Sequence, residues 1–93
     1  MQLKWTHPAI ADLKEGGQYI AEENPEAAMR MVERILEAVE YLVSYPNIGR
    51  EGRLADSREL VVTGTPFLVI YRVRNRGIQI LRVLHHARRW RSK

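Results

Sequence analysis

The sequence contains no cysteine and only three histidines. Without cysteine, neither a disulfide framework nor a thiolate metal site can form, and this absence favours a reducing compartment. His7, His85 and His86 show no metal-ligand spacing with a carboxylate, so metal catalysis is not expected and no cofactor is predicted.

The chain also lacks a long hydrophobic run. No stretch approaches the roughly 20 apolar residues of a membrane span, and the N-terminal MQLKWTHPAI has no apolar core of a signal peptide. We therefore expect a soluble, cytoplasmic protein without a membrane partner. A length of 93 residues with 45% hydrophobic content suits one domain, residues 1–93, and is too short for two cores.

Acidic residues are scarce in the second half of the chain. Residues 46–93 hold three acids against eleven Lys or Arg, whereas residues 1–45 hold eight acids against four. Ten of the eleven cations are arginines, whose planar guanidinium suits bidentate contacts with phosphate or carboxylate. This asymmetry predicts a polyanionic or acidic partner for the second half. The alternative is a solvated surface that uses arginine.

The first half predicts a strand and two helices. Apolar residues alternate with polar ones from Met1 to Trp5, as in a half-buried strand. Thr6 can cap a helix over residues 8–22, and its Gly16-Gly17 pair is explained by close packing against the next helix or by a kink. Asn24-Pro25 is a cap followed by a first-turn proline. Apolar residues then repeat at helical spacing to Val43, which predicts a second helix antiparallel to the first.

The second half predicts three strands. Residues 49–57 (GREGRLADS) have no periodicity and are expected to form a loop, and residues 58–63 (RELVVT) are expected to form a strand. Two runs rich in β-branched and aromatic residues then flank RNRG at 74–77 and predict a hairpin. The predicted fold class is α+β: an N-terminal strand, an α-hairpin and a three-stranded antiparallel meander, with both helices packed on one face of the sheet.

The register of this hairpin decides which side chains share a face. We predict a three-residue loop with Gly77 in the left-handed region, which pairs Arg74 with Ile78. The core face then carries Phe67, Val69, Tyr71, Val73, Leu81 and Val83. The other face carries Arg72, Arg82 and His86 among Leu68, Ile70, Ile78, Ile80 and Leu84. A two-residue loop would instead put the two arginines on opposite faces.

The residue types of the second half fit metal-free RNA cleavage. That reaction needs a base, a proton donor and cations around the phosphate, which His and Arg can supply, and an aromatic ring can stack on an unpaired base. The catalytic candidates are Arg72, Arg82, His86 and Arg53. The RNA-binding candidates are Arg50, Arg58, His85, Arg88, Arg89 and Trp90.

Each candidate also has a plainer interpretation. His85 and His86 point to opposite faces of a strand, so at most one can act with Arg72 and Arg82, and the predicted register favours His86. A histidine at a strand end is about as often a bystander as a base. Trp90 can simply anchor the tail.

The order β-α-α-β-β-β and several segments resemble RelE/ParE-type toxins of bacterial toxin–antitoxin modules. The segments are NPEAAMRMVERILEAVEYL with YPNIGREGR, then RELVV, GTPFLVIYRV and IQILRVLHHARRW. The resemblance covers nearly the whole chain. It implies a cytoplasmic, growth-inhibiting toxin, of a kind tied to plasmid stabilization, that a cognate antitoxin neutralises. RelE-like members cleave mRNA on the ribosome, as endoribonucleases called mRNA interferases, and ParE-like members inhibit DNA gyrase.

The resemblance also assigns positions to a RelE-like site. A basic loop residue corresponds to Arg50 or Arg53, the strand arginine to Arg72, and the C-terminal basic residue and aromatic to Arg82 or His86 and to Trp90. RelE-like tails often carry tyrosine here, whereas indole cannot donate a proton to a leaving oxygen. From sequence, ribosome-dependent mRNA cleavage ranks first, gyrase inhibition second, and a nucleic-acid-binding module acting with a partner third.

Overall fold

The structure, a computed structural model, describes residues 2–85. Its elements are β1 (Gln2–Trp5), α1 (His7–Ala21), α2 (Pro25–Ser44), β2 (Arg50–Glu51), β3 (Ser57–Val61), β4 (Phe67–Arg74) and β5 (Gly77–His85). The strands form one sheet in the order β1-β5-β4-β3-β2, with β1 parallel to β5 and the other neighbours antiparallel. The predicted α+β fold is confirmed, and the short β2 lies in the segment that was expected to be a loop.

Both predicted helix caps are confirmed. The Thr6 hydroxyl accepts a hydrogen bond from the backbone N–H of Ala9 at 3.3 Å, and the Asn24 side chain accepts one from that of Ala27 at 3.0 Å. These side chains satisfy backbone donors that have no partner within the first turn of a helix. The Thr6 hydroxyl also donates to the carbonyl of Ile80 at 2.8 Å, so the cap of α1 is tied to β5.

The core lies between the sheet and the two helices. Its buried cluster contains Ala9, Met31, Ile35, Val39, Leu42, Val62, Phe67, Val69, Tyr71, Ile78, Ile80 and Val83. The members from α1 and α2 pack against one face of the sheet, as the sequence predicted. Leu68 and Ile70, on the opposite face of β4, are also buried.

The predicted hairpin loop is wrong. Arg74 pairs with Gly77 rather than Ile78, and the two loop residues Asn75 and Arg76 adopt φ angles of 54° and 60°. Two successive left-handed residues form the turn whose twist matches that of the flanking strands, so Gly77 need not be left-handed. As a result, Ile78 lies on the core face, not on the face predicted for it.

A β-bulge then restores the predicted register. Tyr71 pairs with Ile80 but Ile70 pairs with Arg82, so one extra residue, Leu81, is accommodated in β5. Ile80 therefore belongs to the core, contrary to the prediction, and Leu81 does not, also contrary to it. Beyond the bulge Leu68 pairs with Leu84, as expected.

The glycine pair of α1 has two different packing environments. A Cβ added to Gly16 would lie 2.8 Å from Cζ of Phe67, whereas one added to Gly17 would lie 3.5 Å from Cγ2 of Val32. Close packing therefore explains Gly16, but it packs against Phe67 of β4 and not against the next helix. Only Gly17 faces the next helix.

We expect Gly16→Ala and Gly17→Ala to change stability in opposite directions. Crowding of the Phe67 ring should cost about 1–3 kcal/mol in Gly16→Ala. Gly17→Ala should raise the free energy of unfolding by about 0.5–1 kcal/mol, because alanine is the better helix former. Urea unfolding of the two variants checks this, and equal shifts in both would contradict the packing difference.

Candidate functional site

Glu59 holds two of the candidate arginines. Its carboxylate is 5% exposed and accepts hydrogen bonds from Nε of Arg53 at 2.8 Å and from the backbone N–H of Arg53 at 3.3 Å. A guanidinium nitrogen of Arg50 lies 3.5 Å from the same carboxylate. The hydrogen bond from the Arg53 side chain is the main cause that lowers the pKa of Glu59 below its ordinary value. The structure thus brings Arg50 and Arg53 together, but around an internal anion.

Asp12 holds Arg82 in the same way. The two side chains form a bidentate ion pair, with Nε to Oδ2 at 2.6 Å and the second contact at 2.9 Å. The Asp12 carboxylate also accepts from the backbone N–H of Val83 at 3.0 Å. Its hydrogen bond to Arg82 raises the pKa of that guanidinium. Asp12 therefore fixes both the bulge of β5 and the direction of the Arg82 side chain.

Arg58 and Arg72 have different partners. Arg58 donates to the carbonyl oxygens of Gly49 at 2.7 Å and Asn47 at 3.2 Å, and Arg72 donates to that of Ala55 at 3.2 Å. Nε of Arg72 is buried and has no hydrogen-bond partner in the described part of the chain. Neutral carbonyl groups orient these guanidinium groups without cancelling their charge.

His85 lies far from Arg72. It pairs with Phe67 across the strands, and its ring contacts those of Phe67 and Tyr19 edge-on, with centroids 5.0 Å and 6.3 Å apart. Arg72 is five residues further along β4, a distance of about 17 Å at the rise of a strand. His85 therefore does not share a site with Arg72. His86, Arg88, Arg89 and Trp90 lie outside the described residues.

The predicted pairing of Arg72 with Arg82 is not formed at their guanidinium groups. Their backbone positions are those of the predicted register, since Arg82 lies opposite Ile70, two residues from Arg72. However, Arg72 reaches the loop before β3 and Arg82 reaches α1. The two charged groups thus extend toward different elements.

A buried tyrosine fixes the loop that follows α2. The Tyr71 hydroxyl donates to the carbonyl of Pro46 at 2.7 Å and accepts from the N–H of Gly49 at 2.9 Å. Burial raises the pKa of this phenol. A Cβ on Gly49 would lie 2.7 Å from the same hydroxyl, so glycine permits the close approach.

This loop borders an open groove of about 800 Å³ at the hairpin-tip end of the sheet. We call it the tip groove. It is lined by Asn47, Glu51, Gly52, Arg53, Leu54, Ala55, Asp56, Ser57, Arg58, Val73 and Arg74. Within residues 2–85 there is no group of three His, Asp or Glu side chains that could hold a metal ion. No helix of these residues is long and apolar enough to cross a bilayer.

The comparisons with known proteins identify the family. A family model described as the ParE toxin of type II toxin-antitoxin system, parDE, matches residues 3–90. The chain belongs to this ParE toxin family. A solved structure described as a chromosomal ParDE TA system from P. aeruginosa matches with a TM-score of 0.80 and 36% identity, covering 91% of this chain and 95% of that one.

Two curated relatives support the same conclusion. A putative toxin Y4kP of Sinorhizobium fredii is 42% identical over 89 residues, which are 96% of this chain and 92% of that protein. Toxin RelE2 of Caulobacter vibrioides is 40% identical over 87 residues, covering 94% and 97%. The chain is a type II toxin of the RelE/ParE superfamily, and membership of such a module implies an antitoxin partner.

This ParE-family toxin also exposes apolar surface on its helices. A groove of about 650 Å³ runs between α1 and α2. Its apolar lining residues are Leu13, Gly17, Ala21, Pro25, Ala28, Met29 and Val32. Met29 is 66% exposed, a large value for a residue of this type. Exposed apolar grooves of this kind are typical of surfaces that bind another protein.

The sequence analysis did not identify Asp12 and Glu59, the two carboxylates that hold Arg82 and Arg53 in place. Asp12 had a detectable signal, because it stands three residues after Ala9 and four before Gly16, on the side of α1 that faces the core. An acid at such a position needs an internal partner. Glu59 had a weaker signal, as an acid within a strand close to several arginines.

Proposed function

We propose that this toxin acts by binding, as a ParE-like, non-enzymatic inhibitor of DNA gyrase that its antitoxin neutralises. The observation that carries the proposal is the internal neutralisation of Arg53 and Arg82, two of the four catalytic candidates, by Glu59 and Asp12. A guanidinium held by a carboxylate has already satisfied the interaction that a scissile phosphate would use.

The separation of His85 from Arg72 supports the same proposal. Metal-free cleavage requires a base and cations within about 3 Å of one reacting phosphate. His85 is about 17 Å along the sheet from Arg72, and its ring packs against Phe67. The apolar groove between α1 and α2 adds surface suited to protein binding.

Ribosome-dependent mRNA cleavage, ranked first from sequence, is the second candidate. The observation that favours it is the pair Arg58 and Arg72, whose charges have only carbonyl partners among the described residues. Phosphate contact by such cations is common to nucleases and to binders of nucleic acid. His86 and Trp90 would complete that site in this alternative.

Two assays with the purified toxin separate the candidates. We expect the toxin to inhibit supercoiling of relaxed plasmid by DNA gyrase and to leave mRNA on translating ribosomes intact. Addition of the antitoxin should restore supercoiling. Cleavage of mRNA within codons, with gyrase unaffected, would overturn the proposal in favour of the second candidate.

A further inference from the structure

Five of the seven described arginines of the second half fall into two electrostatic classes. Arg50, Arg53 and Arg82 contact carboxylates at 3.5 Å or less. Arg58 and Arg72 contact backbone carbonyls, which fix their geometry and leave their positive charge uncompensated. A cation that is oriented before binding loses less side-chain entropy when it meets an anion.

The uncompensated charges gather at one end of the sheet. Arg58 pairs with Tyr71 across the strands, and Arg72 and Arg74 follow on β4 directly before the turn that contains Arg76. The only described acid within 4 Å of Arg74 is Asp56, with the closest N–O distance at 3.9 Å, and both side chains are at least half exposed. Exposed contacts of that length contribute little. Arg58 and Arg74 both line the tip groove.

We propose that the tip groove binds the sugar–phosphate backbone of duplex DNA, with Arg58 and Arg74 contacting phosphates and Arg72 beside them. The choice of DNA rests on the proposed function, because the substrate of gyrase is duplex DNA. A toxin that holds the DNA as well as the enzyme gains affinity for their complex through the second contact.

The composition of the groove favours a backbone over exposed bases. Proteins that bind single-stranded nucleic acid combine cations with aromatic rings on which bases stack. None of the described lining residues is aromatic. Phosphate contacts by arginine carry no sequence information, so binding is expected to be independent of sequence and strongly dependent on salt.

The acidic residues of the groove weaken its attraction for phosphate. Removing one of them should therefore increase the affinity for DNA, the opposite of the effect of removing an arginine. Glu51 and Asp56 also line the groove and repel phosphate. Asp56 has a φ of 60°, a conformation that asparagine tolerates well, so Asp56→Asn removes the charge without straining the backbone. This variant should bind duplex DNA more tightly than the natural sequence.

The experiment measures fluorescence anisotropy of a short labelled duplex with the full-length toxin, over about 50 to 200 mM salt. Arg58→Gln with Arg74→Gln should lower the slope of log K against log salt by about 2, since each phosphate contact contributes about 0.9. Arg74→Gln alone, at an exposed side chain, should lower it by about 1. Circular dichroism verifies that each variant is folded.

Controls of equal charge change lie on the helices. Lys14→Gln with Arg30→Gln removes two exposed cations, and Glu33→Gln removes one acid, so both should leave the salt slope unchanged. Equal changes in the controls would overturn the assignment to the tip groove, because they would indicate a general charge effect. Failure of the toxin to bind duplex DNA at low salt would also overturn the proposal, and so would tighter binding to single-stranded RNA of equal length.

The assay contains no gyrase, so its failure differs from failure of the proposed function. Gyrase inhibition without DNA binding would overturn the tip groove alone. DNA binding without gyrase inhibition would overturn the proposed function and leave the groove as a site for DNA.

Discussion

Asp12→Ala is expected to lower the free energy of unfolding by about 2–4 kcal/mol. The substitution removes the carboxylate that forms a bidentate ion pair with Arg82, whose side chain is about one-third exposed. It also removes the acceptor of the backbone N–H of Val83 in β5. Both donors would then lose this carboxylate in a partly buried setting, where removing one member of a pair costs more than the pair contributes. Urea unfolding monitored by circular dichroism measures the change.

An exposed ion pair provides the matched control. Arg34 and Glu37 contact each other at 3.0 Å on α2, with 42% and 69% of their side chains exposed. Glu37→Ala should therefore change stability by no more than about 0.5 kcal/mol. If Asp12→Ala were equally mild, Asp12 would not hold the bulge. Arg82→Ala loses the same ion pair, so its stability has to be measured together with its toxicity. Only a loss of toxicity in a folded variant would indicate that Arg82 contacts the target of the toxin.

The helices could be predicted from sequence because their signals are local. Thr6 and Asn24-Pro25 lie within a few residues of the backbone groups that they cap, so their effect is visible in a short window. The predicted bounds of α1 differ from the observed ones by one residue at each end. The antiparallel packing of α1 on α2 follows from the short connection between them.

The hairpin shows what local sequence cannot supply. Its bulge is held by Thr6 and Asp12, which hydrogen-bond to Ile80, Leu81 and Val83 from more than 70 positions away. No window around residues 67–85 contains those partners. The segment Arg74-Asn75-Arg76-Gly77 is also compatible with either a two-residue or a three-residue loop, so the long-range contacts decide the register.

The candidate site was predictable in composition but not in arrangement. The excess of arginine marks the second half of the chain as basic, and within it residues 50–76 hold six cations against three acids. Which arginines retain an uncompensated charge depends on Asp12 and Glu59, and the Asp12–Arg82 pair spans 70 positions. Arg82, a catalytic candidate from sequence, is paired with Asp12, whereas Arg74, which was not a candidate from sequence, lines the tip groove.

Tyr71→Phe is expected to lower the free energy of unfolding by about 1–3 kcal/mol and to release the loop that borders the tip groove. The buried ring is retained, so no large cavity forms, but the N–H of Gly49 and the carbonyl of Pro46 lose their shared partner. Burial raises the pKa of Tyr71 above the value of about 10 expected in the unfolded chain. The stability that the neutral hydroxyl contributes is therefore present at neutral pH and is lost as the pH rises above about 10. The variant should lack that alkaline loss.

Hydrogen exchange distinguishes this anchoring role from a general loss of stability. In Tyr71→Phe the amide of Gly49 should exchange faster by a larger factor than core amides such as that of Ile35, because the loop opens locally. Tyr41→Phe, at a half-exposed ring on α2, should leave both stability and exchange near their original values. Unchanged protection at Gly49 in Tyr71→Phe would show that the hydroxyl does not hold the loop, and the tip groove would then depend on Arg58 and its carbonyl contacts for its shape.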